Sequence, residues 1–493
     1  MVDTSQPAHT LEVHYKLFGT DGVSLQSQEL SRALRGRGWT VYGCASDIPA
    51  GAPGLRLEEL SYQSADAVAL RSHVFPDRGT AASESTGVAL TMEIGERAAP
   101  IRRSIESFID AHGIQVVHVR NLMSLPYNLP ATVALHGIMS ARPDIGFLLQ
   151  HHDLYWEGPN ASTFVTPYRD VADLMQRVMV PVLPNARHVL INPIAADALF
   201  ARTGIDGTVI PDGFDFQRTT VAIDETAFRR ELRILAGAEH PISDDDLAVA
   251  MPARVAINKA IELAIEFTAG LETRRPALEQ APAGVGRRRR AVTPRSRIVL
   301  LLPQGEDVAD NRDYLDRLVA YARHLGITLA YGGSIVVPDK RYEPGSQRYP
   351  FYSTYQAEDI VCYPPEHEGF GNQAIETVWA RLPLVVVEYP VFRRFVRDHV
   401  PHYITLGQPE ELERMDEYGG LHRLRSDVLE RALDETVRVL TDHQLEQRWT
   451  EENYTALERF CGIEHVAAQY ERLYVELGAT APPNRPRTTP SMR

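Results

Sequence analysis

The stretch IVCYPPEHEGFGNQAIE, residues 360–376, decides the fold of the C-terminal half of this chain. Its first four residues form an apolar run typical of a buried strand, and a loop with two glycines follows. A helix comes next, because apolar side chains recur at helical spacing at Ile375, Val378, Trp379 and Leu382. This order predicts an anion site, since free backbone N–H groups and the positive end of the helix dipole converge at the helix start.

Two glutamates flank this predicted helix start. Glu368 stands in the loop, and Glu376 stands about one turn into the helix, roughly 6 Å along the axis from Asn372. Carboxylates accept hydrogen bonds from hydroxyls, so the pair suits a transferred sugar and a ribose on either side of a diphosphate. A helix cap or a solvated helix face is the alternative. The predicted donor contacts from the same loop are Gly369, Phe370, Gly371 and Asn372.

Two cations stand upstream of this stretch. Arg254 and Lys259 follow a predicted strand at residues 247–251, and a helical pattern starts at Ile261. Cations at the carboxyl end of a strand are suited to a pyrophosphate in the crevice of an α/β sheet. Taken alone, they could also be ordinary surface charges.

Strand and helix patterns alternate along the whole chain, which predicts an α/β fold. The N-terminal half has strand patterns at residues 11–18, 39–45, 114–119, 147–151, 189–192 and 208–210. A second series comprises residues 247–251, 298–302, 327–331, 360–363 and 384–388. We therefore expect two α/β domains in tandem.

Turn chemistry at Pro211-Asp212-Gly213 places the join near residue 215. The predicted domains are residues 1–215, which would bind the acceptor, and residues 216–450, which would bind the donor. Residues 273–297, rich in Arg, Pro and Gly, are expected to form a disordered surface insertion, either a solvated loop or an electrostatic tether. Helices at residues 451–477 and a disordered tail at residues 478–493 complete the prediction.

Composition narrows the class of protein. The chain has 493 residues, a formal net charge of −14 and only three cysteines, which are far apart. The negative charge argues against nucleic-acid binding, and the cysteines indicate neither a disulfide framework nor a zinc site. With no leader or membrane-span pattern, we expect a cytoplasmic enzyme of small molecules. A homodimer is compatible with the sequence.

The N-terminal half contributes weaker candidates. Gly22 ends a glycine turn that could approach a ligand closely. His151 ends the predicted strand at residues 147–151 and His152 follows it, and either could face a bound sugar. The predicted acceptor contacts are Asp21, Asp153 and Arg120.

These motifs together resemble the GT-B-fold glycosyltransferases of family four, which transfer sugar from a nucleotide diphosphate with retention of configuration. The matching residues are Glu368 through Glu376, Pro383-Leu384-Val385, Arg254 with Lys259, the segment from Ile210 to Asp215, and the Gly22 turn. The resemblance covers most of the chain. It implies two Rossmann-like domains with a cleft between them.

The resemblance also implies residue roles. Arg254 and Lys259 would bind the donor diphosphate, Glu368 the sugar and Glu376 the ribose. The histidine near the anomeric carbon matches His152, with His151 as the rival. The implied final helices would return to the N-terminal domain.

The sequence departs from the family at two places. The usual two-glycine turn is Asp21-Gly22, and the usual small residues after the second glutamate are Thr377-Val378-Trp379. The stretches around Gly22, Asn121 and His152 resemble enzymes of the mannosylglucosyl-3-phosphoglycerate synthase type, which act on phosphorylated acceptors.

The predicted function is a retaining hexosyltransferase that uses a donor of the GDP-mannose or UDP-glucose type and a small hydroxylated acceptor, with or without a phosphate. A nucleotide-sugar epimerase on the same fold and a non-catalytic sugar-nucleotide-binding subunit are the alternatives. The mechanism we expect requires no cofactor and no divalent metal, because Arg254, Lys259 and the helix start would neutralise the leaving diphosphate.

Overall fold

The computed structural model describes residues 8–482 except 20, 78, 80–82, 159, 239 and 305–310. It divides the chain into two compact units, one made of Met1–Asp215 with Cys461–Arg493 and the other of Phe216–Phe460. Most of the predicted tail, residues 483–493, lies outside the described residues, as does Thr20 of the predicted glycine turn.

The first unit is built on a seven-stranded parallel sheet with the strand order β3-β2-β1-β4-β5-β6-β7. Its strands are β1 His9–Val13, β2 Thr40–Ala45, β3 Gly54–Arg56, β4 Val116–Arg120, β5 Gly146–His151, β6 Ala186–Leu190 and β7 Thr208–Val209. Its helices are α1 Gly22–Gly36, α2 Ala65–Val74, α3 Glu84–His112, α4 Leu129–Ala141, α5 Asn160–Thr163, α6 Arg169–Val178, α7 Pro193–Thr203 and, at the C-terminus, α16 Ile463–Glu476.

Helices cover both faces of this first sheet. One core cluster joins the sheet to α3 and α4, and another joins it to α1 and α16. Every residue of β5 is consequently buried, including the polar Gln150 and His151 at its carboxyl end. The chain re-enters this unit at Cys461 rather than at residue 451.

The second unit has a seven-stranded sheet in the order β16-β15-β14-β9-β10-β11-β8, in which only the pairing of β8 with β11 is antiparallel. These strands are β8 Arg233–Ala236, β9 Leu247–Ala250, β10 Ile298–Leu302, β11 Thr328–Tyr331, β14 Ile360–Tyr363, β15 Leu384–Val386 and β16 Ile404–Thr405. Two small ribbons pair β12 Val336–Val337 with β13 Tyr349–Pro350, and β17 Glu413–Met415 with β18 Leu421–Arg423.

The helices of the second unit lie between these strands and after them. They are α8 Glu225–Glu231, α9 Ile261–Glu272, α10 Arg275–Glu279, α11 Arg312–His324, α12 Phe351–Thr354, α13 Asn372–Trp379, α14 Ser426–Thr441 and α15 His443–Cys461. The structure thus has the two parallel-sheet α/β domains that the alternating sequence pattern predicts.

The prediction of a disordered insertion at residues 273–297 is wrong. The segment contains α10 and packs against the unit through its arginines. Arg290 is buried, with its guanidinium 3.1 Å from the Asp359 carboxylate, and Arg288 lies 2.7 Å from Glu225. Arg287 donates to the Tyr355 carbonyl at 2.5 Å. Composition alone suggested disorder, whereas acceptors from distant parts of the sequence hold these arginines in place.

Candidate active site

Two adjacent strands of the second sheet position the donor-binding candidates. β9 and β14 are parallel neighbours, so their carboxyl ends open at the same edge. The loops that follow are tied together: the Glu366 amide donates to the Asn258 carbonyl at 3.0 Å, and the Asn258 side chain donates to the His367 carbonyl at 3.3 Å. The sheet therefore unites two sequence motifs that lie more than a hundred residues apart.

Lys259 and Glu368 form an ion pair at this edge. Both side chains are largely buried, with 9% and 15% of their surfaces exposed. The Lys259 ammonium also lies 5.8 Å from the ring centroid of Tyr363. Burial raises the pKa of Tyr363, and the charge of Glu368 raises it further. A pair that is shielded from water but still reachable is suited to rearrange around an incoming charged ligand.

Gly371 shapes the loop before α13. Its φ is 93°, and a Cβ at this position would lie 1.8 Å from the Tyr389 hydroxyl oxygen. That hydroxyl donates to the Phe370 carbonyl at 2.8 Å, so the close approach fixes the turn. Only glycine meets both demands.

The start of α13 is open to a ligand. Gly371 is its N-cap residue, and no side chain caps the helix in the described structure. Asn372, the first helical residue, is half-buried. The first N–H groups of a helix have no intrahelical partner, so they remain available to an anion.

The ring of Phe370 is buried among other aromatic rings and is not available to contact a donor. It is 3% exposed and lies near Phe395 and Phe460, with centroid distances of 6.3 and 6.4 Å. The predicted contact of Phe370 with the donor is therefore limited to its backbone, as it is for the adjacent Gly369.

Glu376 is enclosed by aromatic residues that the sequence did not reveal. The Tyr355 hydroxyl donates to its carboxylate at 2.8 Å, and the Tyr352 hydroxyl lies 3.5 Å away. Burial raises the pKa of Glu376 to about 7, although the hydrogen bond from Tyr355 and the charge of Arg218 oppose that shift. Arg218 lies over the Tyr352 ring, 4.1 Å from its centroid. The carboxylate is thus held in one orientation.

Arg254 differs from Lys259 in its surroundings. Its side chain is exposed, and among the described residues no carboxylate pairs with it. Both follow β9, but only Lys259 is joined to one of the predicted glutamates.

In the first unit, His152 follows β5 and lies beside an acid. Its Nε2 is 3.2 Å from Oδ1 of Asp212, and both side chains are 7% exposed. The His152 amide donates to the Asn121 side chain at 2.8 Å, and Asn121 itself has a φ of 56°. Asp212 entered the sequence interpretation only as a turn residue, because its partner lies sixty residues earlier.

His151 is the less suitable of the two histidines. Its Nε2 lies 2.9 Å from Nδ1 of His188 on β6, and the side chain is enclosed within the sheet. Burial holds its pKa well below the ordinary histidine value. This arrangement favours His152 as the histidine that meets a substrate.

Arg120 does not reach the protein surface. It is 1% exposed, its Nη2 donates to Glu12 at 3.0 Å, and its Nη1 donates to Gln150 at 2.5 Å. This burial contradicts the predicted acceptor contact, because Glu12 and Gln150 turn the guanidinium inwards.

Asp21 and Gly22 begin the first helix. The Asp21 carboxylate accepts from the Ser24 amide at 3.2 Å and from the Ser24 hydroxyl at 2.8 Å, and it lies 3.1 Å from the Lys16 ammonium. Asp21 is therefore a helix cap as well as an acceptor candidate. Asp153 is exposed beside His152, and its charge raises the pKa of Tyr127, which burial raises most.

One group of side chains in the described residues could hold a metal ion. Glu262, Glu366 and His422 have ligand atoms within 4.8 Å of one another. These atoms already bond with protein groups: Tyr314 donates to Glu262 at 2.5 Å, and His422 Nδ1 lies 2.6 Å from Glu366. The group is thus explained as a hydrogen-bonded link between β18 and the donor loop.

Comparison with known proteins places this geometry in context. No family model matches the chain. It is 27% identical over 433 residues to a mannosylglucosylglycerate synthase of Petrotoga mobilis, covering 88% of this chain and 93% of the relative. A protein of the same name from Thermotoga maritima is 26% identical over 456 residues, covering 92% and 96%.

Solved structures show the same architecture. A sucrose-phosphate synthase from Thermosynechococcus elongatus superposes with a TM-score of 0.55 at 15% identity, covering 95% of this chain and 99% of that one. The fold is the GT-B fold, as the sequence resemblance predicted. Together with the two relatives, it defines the chain as a GT-B glycosyltransferase. In the described part of the chain, no helix has the length and apolar character needed to cross a membrane.

Proposed function

We propose that the protein transfers a hexosyl group, with retention of configuration, from a nucleotide diphosphate sugar to a small hydroxylated acid. The observation that carries this proposal is the pairing of Lys259 with Glu368 beside the uncapped start of α13. The cation and the free helix amides at this sheet edge match the diphosphate of a nucleotide sugar, and the carboxylate matches the sugar hydroxyls.

In the proposed mechanism, the residues that bind the sugar donor divide into those that contact its diphosphate and those that contact its hydroxyl groups. Lys259, Arg254 and the first amides of α13 stabilise the charge that grows on the diphosphate as the glycosidic bond breaks. Glu368 accepts hydrogen bonds from sugar hydroxyls, and Glu376, held by Tyr355, accepts them from the ribose.

The reaction proceeds on one face of the sugar. The acceptor oxygen forms a bond to the anomeric carbon while the bond to the diphosphate oxygen breaks, and the departing diphosphate takes the acceptor's proton. We propose that His152 faces the sugar during this exchange, with the Asp212 carboxylate beside its Nε2 to orient the ring. Protein cations and amides supply the charge stabilisation, so we propose that no metal ion is required.

The relatives' names narrow the substrates. Both relatives are mannosylglucosylglycerate synthases, whose name describes a product that contains mannose, glucose and glycerate. We therefore propose a mannosyl donor and glucosylglycerate, free or phosphorylated, as the acceptor.

Product analysis tests this function. The purified protein is incubated with GDP-mannose or UDP-glucose and with glucosylglycerate or glucosyl-3-phosphoglycerate. We expect one donor and acceptor pair to give a condensed product by mass spectrometry, with the donor's anomeric configuration retained by NMR. An epimerised donor without acceptor, or an inverted product, would overturn the proposal. The same reaction with excess EDTA should proceed at an unchanged rate if no metal is needed.

A further inference from the structure

The first unit contains a cavity of about 840 Å³ that the donor chemistry does not use. Its walls come from α2, from α3, and from the segments that follow β3 and β4. Apolar side chains make up much of the lining, including Leu57, Leu70, Phe75 and Ile101. Small-molecule sites commonly combine such an apolar lining with a few well-placed polar groups.

The cavity lies at the carboxyl edge of the sheet. Leu57 stands directly after β3, and Tyr127 stands in the segment that follows β4. The same segment begins with Asn121, whose side chain holds the amide of His152. One short loop therefore links the cavity to the histidine that the proposed reaction uses. Ligands of parallel α/β sheets bind at this carboxyl edge of the strands.

Arg71 differs from the other two arginines of the lining, Arg56 and Arg97. Arg56 is paired with Glu58 at 3.0 Å, and Arg97 is paired with Glu93 at 2.5 Å. Arg71 instead donates only to backbone carbonyls, those of Tyr62 at 2.8 Å and Tyr127 at 3.2 Å. No carboxylate pairs with it in the part of the chain that the structure describes.

Arg71 is also preoriented by its neighbours. Both of these hydrogen bonds use Nη1, and the guanidinium lies 5.6 Å from the Tyr127 ring centroid. Tyr127 in turn contacts Tyr62 and Tyr15, with centroid distances of 5.2 and 6.1 Å. Held in this way, the remaining guanidinium N–H groups can bind a carboxylate or phosphate in two-point geometry.

We propose that Arg71 binds the anionic group of the acceptor in this cavity. The inference rests on the proposed function, and it deepens that function by naming the residue that selects acidic acceptors over neutral ones. The anionic group is a carboxylate or a phosphate, and Tyr127 and the apolar lining contact the carbon skeleton next to it.

Binding by isothermal titration calorimetry tests the proposal without requiring turnover. The probes are glucosylglycerate, glucosyl-3-phosphoglycerate and the neutral glucosylglycerol. We expect Arg71→Gln to weaken binding of an anionic probe by roughly 10- to 100-fold, the loss typical of a charge-assisted hydrogen bond. Binding of glucosylglycerol and of the donor nucleotide should change less than about twofold. A loss seen with glucosyl-3-phosphoglycerate alone identifies the phosphate as the recognised group, and an equal loss with both anionic probes identifies the carboxylate that they share.

Two further variants make the result specific. Arg71→Lys keeps the charge but not the planar fork, so its loss should be intermediate. Arg35→Gln is the matched control, because Arg35 donates to the Val41 carbonyl at 2.9 Å near the C-terminal end of α1, away from the cavity lining. Equal weakening by Arg71→Gln and Arg35→Gln, or binding of neither anionic probe to the wild-type protein, would overturn the inference. Failure of the proposed transfer reaction with intact Arg71-dependent binding would refute the function alone.

Discussion

Each end of β14 has an ion pair between an acidic and a basic side chain, and the two ion pairs differ in burial and in the number of partners. At the amino end, Asp359 is fully buried between Arg229 and Arg290, at 3.3 and 3.1 Å. At the carboxyl end, Glu368 meets Lys259 on loops, where both side chains keep some exposure. At the amino end, the charges of Asp359 and the two arginines are neutralised within the protein. At the carboxyl end, Lys259 and Glu368 can exchange their mutual contact for contacts with a ligand.

This difference teaches how to distinguish structural charges from functional ones. Buried charges with several fixed partners stabilise a unit because the removal of one leaves the others uncompensated. A charge pair beside unsatisfied helix amides instead offers its partners to a substrate. Four experiments can break or sharpen this contrast.

The largest effect is expected at the amino end. Asp359→Asn leaves Arg229 and Arg290 without their buried counter-charge, so the free energy of unfolding should fall by about 3–5 kcal/mol. Denaturant melts measure the change. Asp427→Asn is the control, because Asp427 pairs with Arg431 at 3.0 Å on the exposed surface, where the loss of an ion pair should change stability little. Similar losses in both variants would refute the structural role of Asp359.

Replacement at the carboxyl end should affect activity and spare stability. Lys259→Met removes the buried cation of the donor site, so kcat/KM for the donor should drop on the order of 10²- to 10³-fold. The melting temperature should stay close to that of the wild type. Lys340→Met, which removes an exposed lysine in the same unit, should leave kcat/KM unchanged. A wild-type rate in Lys259→Met would refute the assignment of the donor site.

A pH series sharpens the picture of the amino end. Burial raises the pKa of Glu358 to about 8, despite the nearby Arg287, Arg288 and Arg229. The folded protein therefore binds a proton that the unfolded chain releases near pH 4–5, so stability should fall as the pH rises from about 5 to 8. The loss is at most about 1.4 kcal/mol per pH unit.

Glu358→Gln should flatten this dependence, as measured by denaturant melts at pH 6, 7 and 8. A residual slope will remain, because burial also raises the pKa of Glu376 and of Glu446 to about 7. An identical slope in the wild type and the variant would show that Glu358 does not titrate in this range.

The smallest effect is expected at Tyr355. Tyr355→Phe removes the hydrogen bond that orients the Glu376 carboxylate, so donor affinity should weaken by about 1 kcal/mol, or roughly fivefold. Calorimetry with the donor nucleotide measures it, and Tyr342→Phe provides a tyrosine outside this contact. Unchanged affinity would mean that the ribose does not depend on an oriented Glu376.

Local patterns in the sequence predicted much of the fold. The apolar runs at Ile298–Leu302 and Ile360–Tyr363 are strands with the expected bounds, since buried parallel strands need continuous apolar residues. The strand predicted at residues 11–18 is β1 His9–Val13 instead. Tyr15 and Leu17 follow it and are buried from a loop, which alternation alone cannot distinguish from a strand.

Site residues that lie close together in the sequence could be predicted, whereas contacts between residues distant in the sequence could not. Glu368, Gly371 and Glu376 share one motif, so their proximity follows from the chain itself. Tyr355 and Arg120 have partners that no spacing rule reveals, because Glu376 and Glu12 meet them only through the folded sheets. The roles of the predicted site residues in catalysis remain predictions for the experiments above.

The return of α16 to the first unit also governs the order of assembly during synthesis. Tyr470, Tyr474 and Ala467 belong to a core cluster that includes Leu30, in the earliest part of the chain. The Arg37 guanidinium and Glu471, 2.5 Å apart, likewise join opposite ends of the sequence. During synthesis, every residue of the second unit is translated before α16, the final helix of the first unit. Until α16 is made, the apolar face of the first unit that it covers stays exposed. The N-terminal half is thus the first to be translated and the last to be completed.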